Sequence, residues 1–230
     1  MFVGHFAVGF AARRAAPEAS LGTLFFAAQF ADLLWPTLVL AGVESFAIRP
    51  GLTPVSPLEF TGYPWSHSLL MLAVWGLLVG LAVRGRRSNW RVAAVVTGVV
   101  VSHWLLDWVS HVPDLPLAPG GGPRLGLGLW RSRPASFAVE LALLAVGVTL
   151  YARATRPRDR VGRWGLIGLV ALLAGIYVAS FLGPPPPGEA AVVWSAEAGW
   201  LFVAAGWWVD RHRTAPAGAG AAGRERRPAV

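Results

Sequence analysis

The chain contains no cysteine and no lysine. The first absence excludes disulfides, iron–sulfur clusters, thiolate zinc sites and cysteine nucleophiles, so any bound metal must take nitrogen and oxygen ligands. The second makes every fixed positive charge an arginine. Charge of either sign is scarce: 14% of the 230 residues are Asp, Glu, Lys or Arg, where a soluble domain carries about 25%. What fills the chain instead is 55% hydrophobic residues, 12 Trp and a mean hydropathy of +0.53. Such a surface cannot face water everywhere, and the composition is that of a membrane protein. Twenty basic against twelve acidic residues give a net charge of +8, which fits positive loops and tails better than a nucleic-acid footprint. No nucleic-acid partner is expected; the bilayer is.

A window of about 19 residues finds six apolar segments of spanning length: Leu21–Gly42, His67–Val83, Val92–Val109, Ala135–Ala152, Trp164–Leu182 and Ala190–Val209. The earlier stretch Phe2–Ala12 reaches only about 16 Å as a helix and is expected to be re-entrant or a half-span. It does not read as a signal peptide, because Arg13 and Arg14 follow its apolar run instead of preceding it. The expected architecture is therefore all-α, a polytopic transmembrane bundle of six spans plus a short N-terminal helix. Residues 1–213 form this domain, and residues 214–230, rich in Ala, Gly, Pro and Arg, form a disordered basic tail. Six alternating crossings put 16 of the 20 arginines on one side and Arg49, Arg124, Arg131 and Arg133 on the other. By the positive-inside bias, the Arg13–Arg14 loop and the C-terminus are expected to be cytoplasmic. The long Gly- and Pro-rich loops Glu44–Ser66 and Ser110–Arg133 lie outside, where loops on a rigid scaffold tend to carry function. Trp65, Trp90, Trp130, Trp164 and Trp194 sit at span ends as interfacial anchors.

Ionisable groups inside membrane helices cost about 2.5–3.5 kcal/mol each on insertion scales, so each asks for a reason. Here they are Asp32, Asp107, Glu140 and Glu197, and four of the five histidines, His5, His67, His103 and His111, lie in or beside apolar segments. In SHWLLDWVSH, His103, Asp107 and His111 follow one another at steps of four, which places all three on one stripe of a helix. Two imidazoles and a carboxylate on one stripe can bind a divalent metal. In YPWSHSLL, Ser66 reads as an N-cap and His67 as the opening of the second span. In AQFADLLWP, Pro36 removes the amide that would bond the Asp32 carbonyl, which predicts a kink there. GHFAVGF carries His5. Depths counted along the helices put these groups, with Glu140 and Glu197, largely in the outer half of the bilayer.

In this order, Gly4-His5, Asp32 with Pro36, Ser66-His67-Ser68-Leu69-Leu70 and Ser102-His103 with Leu106-Asp107, the motifs resemble those of bacterial membrane-bound metal-dependent hydrolases of the LexA-regulated inner-membrane type. The resemblance covers residues 1–115. It departs from that family where the first acidic motif, often PDxDH, is replaced by Ala31-Asp32-Leu33-Leu34-Trp35. His111 and Asp114 of VSHVPDLP stand where they could supply part of the missing set. The family in turn is distantly similar to zinc-dependent phospholipase C and single-strand nucleases, and that relation implies phosphoester cleavage. The expected metal ligands are His5, Asp32, His67, His103, Asp107 and His111, with Asp107, His103 and Glu140 as the catalytic candidates. Zinc is the expected ion, with manganese or iron also compatible with imidazole and carboxylate. The implied substrate is a lipid or lipid-linked phosphoester, with Arg124, Arg131 and Arg133 on the same side as its anion partners. Two other readings remain open: a transporter whose buried acids and histidines relay protons or bind an ion, and polar glue between helices.

Overall fold

The computed structural model describes residues 1–87 and 89–215. The chain is mostly helical. Helix α1 (Val3–Ala12) is followed by α2 (Leu21–Ala28), whose N-cap Ser20 accepts from the Thr23 amide, and by α3 (Phe30–Leu40). After a β-hairpin of β1 (Ser45–Ile48) and β2 (Leu58–Gly62) come a single turn, α4 (Pro64–His67), and then α5 (Leu69–Arg87) and α6 (Trp90–Ser110). A two-residue ladder pairs β3 (Leu115–Pro116) with β4 (Arg124–Leu125) before α7 (Arg133–Ala154). The last third holds β5 (Arg156–Pro157), α8 (Arg160–Leu182), α9 (Glu189–Glu197), α10 (Gly199–Arg211) and β6 (Arg213–Thr214), with β5 antiparallel to β6.

The long helices begin where a side-chain oxygen takes up free amides of the first turn. Asn89 does so for α6, Ser132 for α7 and Asp159 for α8. Two ends are set by proline, since α6 stops two residues short of Pro113 and α8 ends at Gly183 before Pro184–Pro187.

Among the described residues, four helices are long and apolar enough to cross a membrane: α6, α7, α8 and the run Glu189–Arg211 formed by α9 and α10. The pair α2–α3 makes a fifth when counted as one broken span. The remaining one of the six expected spans falls on α5, which is not among them, because its apolar part, Leu69–Gly85, is shorter than these helices. The expected kink also lies elsewhere. Pro36 sits inside a continuous α3, and the chain instead bends by 56° where Gln29 separates α2 from α3. The long loops Glu44–Ser66 and Ser110–Arg133 carry the two small antiparallel ladders, β1 with β2 and β3 with β4. Of the expected disordered tail, Thr214 pairs with Arg156, and residues 216–230 lie outside the described residues.

Helices pack closely where glycine permits it. A Cβ on Gly80 of α5 would lie 2.3 Å from Thr97 Oγ1 of α6, and one on Gly147 of α7 would lie 2.3 Å from the Ala7 carbonyl of α1. Small residues at such crossings let backbones approach where lipid offers no hydrophobic drive between helices. One apolar cluster gathers Leu24, Trp35, Tyr63, Leu72, Val96 and Trp104, and a second gathers Phe6, Phe10, Phe25, Tyr151, Leu173 and Val203. Outward faces are apolar as well: Leu77, Leu78, Ile167, Leu172 and Leu201 are all at least half exposed. At the arginine-rich end, Arg13 pairs with Asp210 at 3.0 Å and also meets the Ala19 carbonyl, while Tyr151 donates to the same Asp210.

Candidate metal centre

Four separate segments deliver His5, Asp32, His67, His103, Asp107 and His111 to one place between α1, α3, α4 and α6. Asp107 lies at its middle. Its Oδ1 accepts from His5 Nε2 at 3.0 Å and lies 3.8 Å from His111 Nε2. Its Oδ2 lies 3.1 Å from His103 Nε2 and 4.0 Å from His67 Nε2. Asp32 Oδ1 approaches the same two imidazoles, at 3.4 Å from His67 Nε2 and 3.7 Å from His103 Nε2. The amino group of Met1 also rests against Asp107 Oδ1.

The protonation of each ring follows from what its other nitrogen touches. His103 Nδ1 meets the carbonyl of Ala28 at 2.8 Å, and a carbonyl can only accept, so Nδ1 carries the proton. Ser66 gives its hydroxyl proton to Glu44 at 2.6 Å and therefore accepts from His67 Nδ1 at 2.7 Å. His111 Nδ1 donates to Asp114 Oδ1 at 3.0 Å, an oxygen that also accepts from the Tyr63 hydroxyl. In all three rings Nε2 is left facing the carboxylates. His103 Nε2 is buried and has no hydrogen-bond partner despite its 3.1 Å approach to Asp107, because the contact is not aligned for one. His5 Nδ1 is likewise buried and unpartnered, and the His5 and His103 rings stack at 3.7 Å. Imidazole lone pairs and carboxylate oxygens converging on one another repel unless a proton or a metal cation stands between them.

Two overlapping triplets can hold a metal ion: His5, His103 and Asp107, and Asp32, His67 and His103. Within each, the ligand atoms lie within 4.8 Å of one another. Outer partners that orient a ligating imidazole through its second nitrogen are the usual support of a metal site. Ala28, Ser66 with Glu44, and Asp114 with Tyr63 occupy those positions here. Neither a protein-family model, nor a curated protein, nor a solved structure matches the chain. The site therefore stands on its own geometry.

Several sequence expectations sit differently in the fold. His67 does not open the long helix: it ends the single turn α4, and Ser68 is extended before α5 begins. Ser66 is not a cap but lies within that turn, held by Glu44, which also accepts from the amides of Trp65 and Ser66. His111 lies just past the end of α6 in extended conformation, yet its ring still reaches Asp107. Glu140 stands apart from the imidazoles, its Oε2 accepting from the amides of Phe2 and Gly4 at 2.8 and 3.2 Å. That contact caps the start of α1 and so fixes the helix that carries His5. Glu197 accepts from Thr37 and takes no part in the cluster. Trp130, expected as an anchor, lies against the His111 ring at 4.1 Å. Arg124 donates to the Asp114 carbonyl and Arg133 to the Phe181 carbonyl. Glu44 and Tyr63 escaped the sequence reading because each acts through a residue distant in the chain or through an aromatic in a loop. The local signal was slight, since Glu44 opens a long loop that also carries Arg49 and a second acid, Glu59.

Asp32 is the accessible member of the cluster. Its side chain is 40% exposed, whereas those of His5, His67, His103, Asp107 and His111 are all below 5%.

Proposed function

We propose that this protein is a metal-dependent hydrolase embedded in the bacterial inner membrane, acting on a lipid or lipid-linked phosphoester near the outer leaflet. The observation that carries the reading is the set of imidazole Nε2 atoms aimed at two carboxylates with their Nδ1 protons committed outward. That donor set fits a divalent ion in charge, because Asp32 and Asp107 together supply two negative charges. It fits in chemistry as well, since imidazole and carboxylate suit zinc and also accept manganese or iron. His67, His103, Asp107 and Asp32 would hold the ion, with His5 and His111 on the far side of Asp107. When bound, such an ion supplies Lewis acidity toward a phosphoryl oxygen and makes water a nucleophile near neutral pH. The exposed Asp32 carboxylate borders the approach and orients what enters; the buried imidazoles keep bulk water from the remaining ligands. His103 and Asp107 are the residues on which activity depends most. Glu140 acts by holding α1, and through it His5. In the membrane, six helical passages alternate so that the Arg13–Arg14 loop and the C-terminus face the cytoplasm, with the metal centre toward the opposite, arginine-poor side.

Metal analysis of the detergent-purified full chain tests this directly. The wild type is expected to carry at least one divalent ion per chain, and Asp107→Asn to lose most of it while melting within a few degrees of the wild type. Asparagine keeps the shape but removes the charge that stabilises a dication, and its amide can still bridge helices. A wild type without metal, or a variant with unchanged content, overturns the hydrolase reading and leaves a proton relay or structural glue as the role of the cluster. Chelator-sensitive release of headgroup phosphate from phospholipid vesicles, lost in His103→Ala, would establish the reaction class.

A further inference from the structure

An apolar groove of about 600 Å³ runs between α8 and α10, lined by residues that belong to neither metal triplet. Trp164 and Trp208 form its walls, Arg160 stands at one end and Leu172 toward the other. Gly168 leaves its floor open, since a Cβ there would meet nothing within 4 Å. From Arg160 to Leu172 is twelve helical steps, about 18 Å. Half of a hydrocarbon core about 30 Å thick is close to that depth, so the groove runs from the headgroup level to near the bilayer midplane. Around its charged end, Arg153, Arg156, Arg158, Arg163 and Arg211 are exposed, and none has an acidic partner within 4 Å among the described residues.

We propose that this groove is a binding site for an anionic phospholipid of the leaflet on the arginine-rich side, with one acyl chain between Trp164 and Trp208 and the phosphate against Arg160. Charge decides between the two occupants available in a membrane. A second copy of the chain inserts in the same orientation and would bring its own arginine-rich end alongside, placing like charges together. An anionic lipid instead brings the phosphate that these unpaired guanidinium groups lack, and its chain matches the length of the groove. The proposal is independent of the metal centre.

Native mass spectrometry of the full chain in detergent, titrated with phosphatidylglycerol and phosphatidylcholine of identical chains, tests it. Phosphatidylglycerol is expected to bind the more tightly, and Arg160→Gln to weaken it roughly fivefold, the loss of one arginine near the membrane surface. Gly168→Leu fills the floor and is expected to weaken both lipids. Equal binding of the two lipids, or phosphatidylglycerol affinity unchanged in Arg160→Gln, overturns the proposal. Unchanged binding in a folded Gly168→Leu moves the chain out of the groove and overturns it too, as does a wild-type dimer that this substitution abolishes. Arg160 is exposed at the helix start, so its variant decides even should Gly168→Leu fail to fold.

Discussion

At His67, His103 and His111 the Nδ1 proton is spent on Ser66, Ala28 and Asp114, and this fixes which nitrogen each ring shows to Asp32 and Asp107. The supporting groups should therefore matter almost as much as the ligands. Ser66→Ala leaves His67 free to rotate or change tautomer, and Asp114→Asn weakens the acceptor behind His111. Each is expected to lower metal affinity about 10–100-fold with little change in thermal stability. A competition titration with a chromogenic chelator reads this; affinities equal to wild type would mean that the rings are held by packing alone. The residues of the cluster were legible in the sequence, because an acid or imidazole in an apolar segment is conspicuous. Their supports were not, since Glu44 and Tyr63 are ordinary loop residues until the fold sets them beside Ser66 and Asp114.

Among the elements, α1 depends on its crossing with α7. A Cβ on Gly147 would also lie 2.8 Å from Ala7 Cα, so a larger residue must push α1 outward and carry His5 away from Asp107. Gly147→Leu is expected to cost about 1–3 kcal/mol in stability and to reduce metal content. Gly175→Ala, where the added Cβ meets nothing, should do neither; equal melting temperatures in the two variants would refute the close crossing. At the start of α8, Asp159 accepts from His212 at 2.7 Å and from the Gly162 amide at 2.8 Å. The His212 hydrogen bond, and then the backbone amides, hold the Asp159 carboxyl below its ordinary value. A carboxyl depressed in the folded state stabilises above its unfolded value and loses that contribution as pH falls through the folded one. Asparagine still caps the helix, so the difference in melting temperature between wild type and Asp159→Asn should be small, present at neutral pH, and shrink below about pH 4. A difference constant down to pH 3 would show that charge plays no part in the contact. The apolar passages and their order were readable because hydropathy marks them. The breaks were not: Pro36 fits inside α3, whereas the bend falls at Gln29, a residue with no breaker chemistry, and His67 leaves α5 because the extended Ser68 interrupts the helix.

For the molecule as a whole, the proposed topology sets the arginine-rich loops and the candidate metal centre on opposite sides of the membrane. Pro54 lies in the loop between β1 and β2, and Arg158 lies between β5 and α8, both exposed. A chain without native cysteine gives a clean background, so Pro54→Cys should react with an impermeant maleimide on intact cells and Arg158→Cys only after lysis. The reverse pattern would invert the topology and place the centre toward the cytoplasm. Ser88, in the α5–α6 connection, would report the same side as Arg158 but lies outside the described residues.

The bend between α2 and α3 also has a chemical side. Ala28 is the last residue of α2, and its carbonyl, at the break, is the group to which His103 donates. In an unbroken helix that carbonyl would belong to the backbone ladder and accept from the amide four residues on, which is that of Asp32. Straightening the segment would set that amide beside the imidazole as a second claimant on one carbonyl. The break in one helix pair thus supplies the acceptor that decides which nitrogen His103 turns toward Asp32 and Asp107.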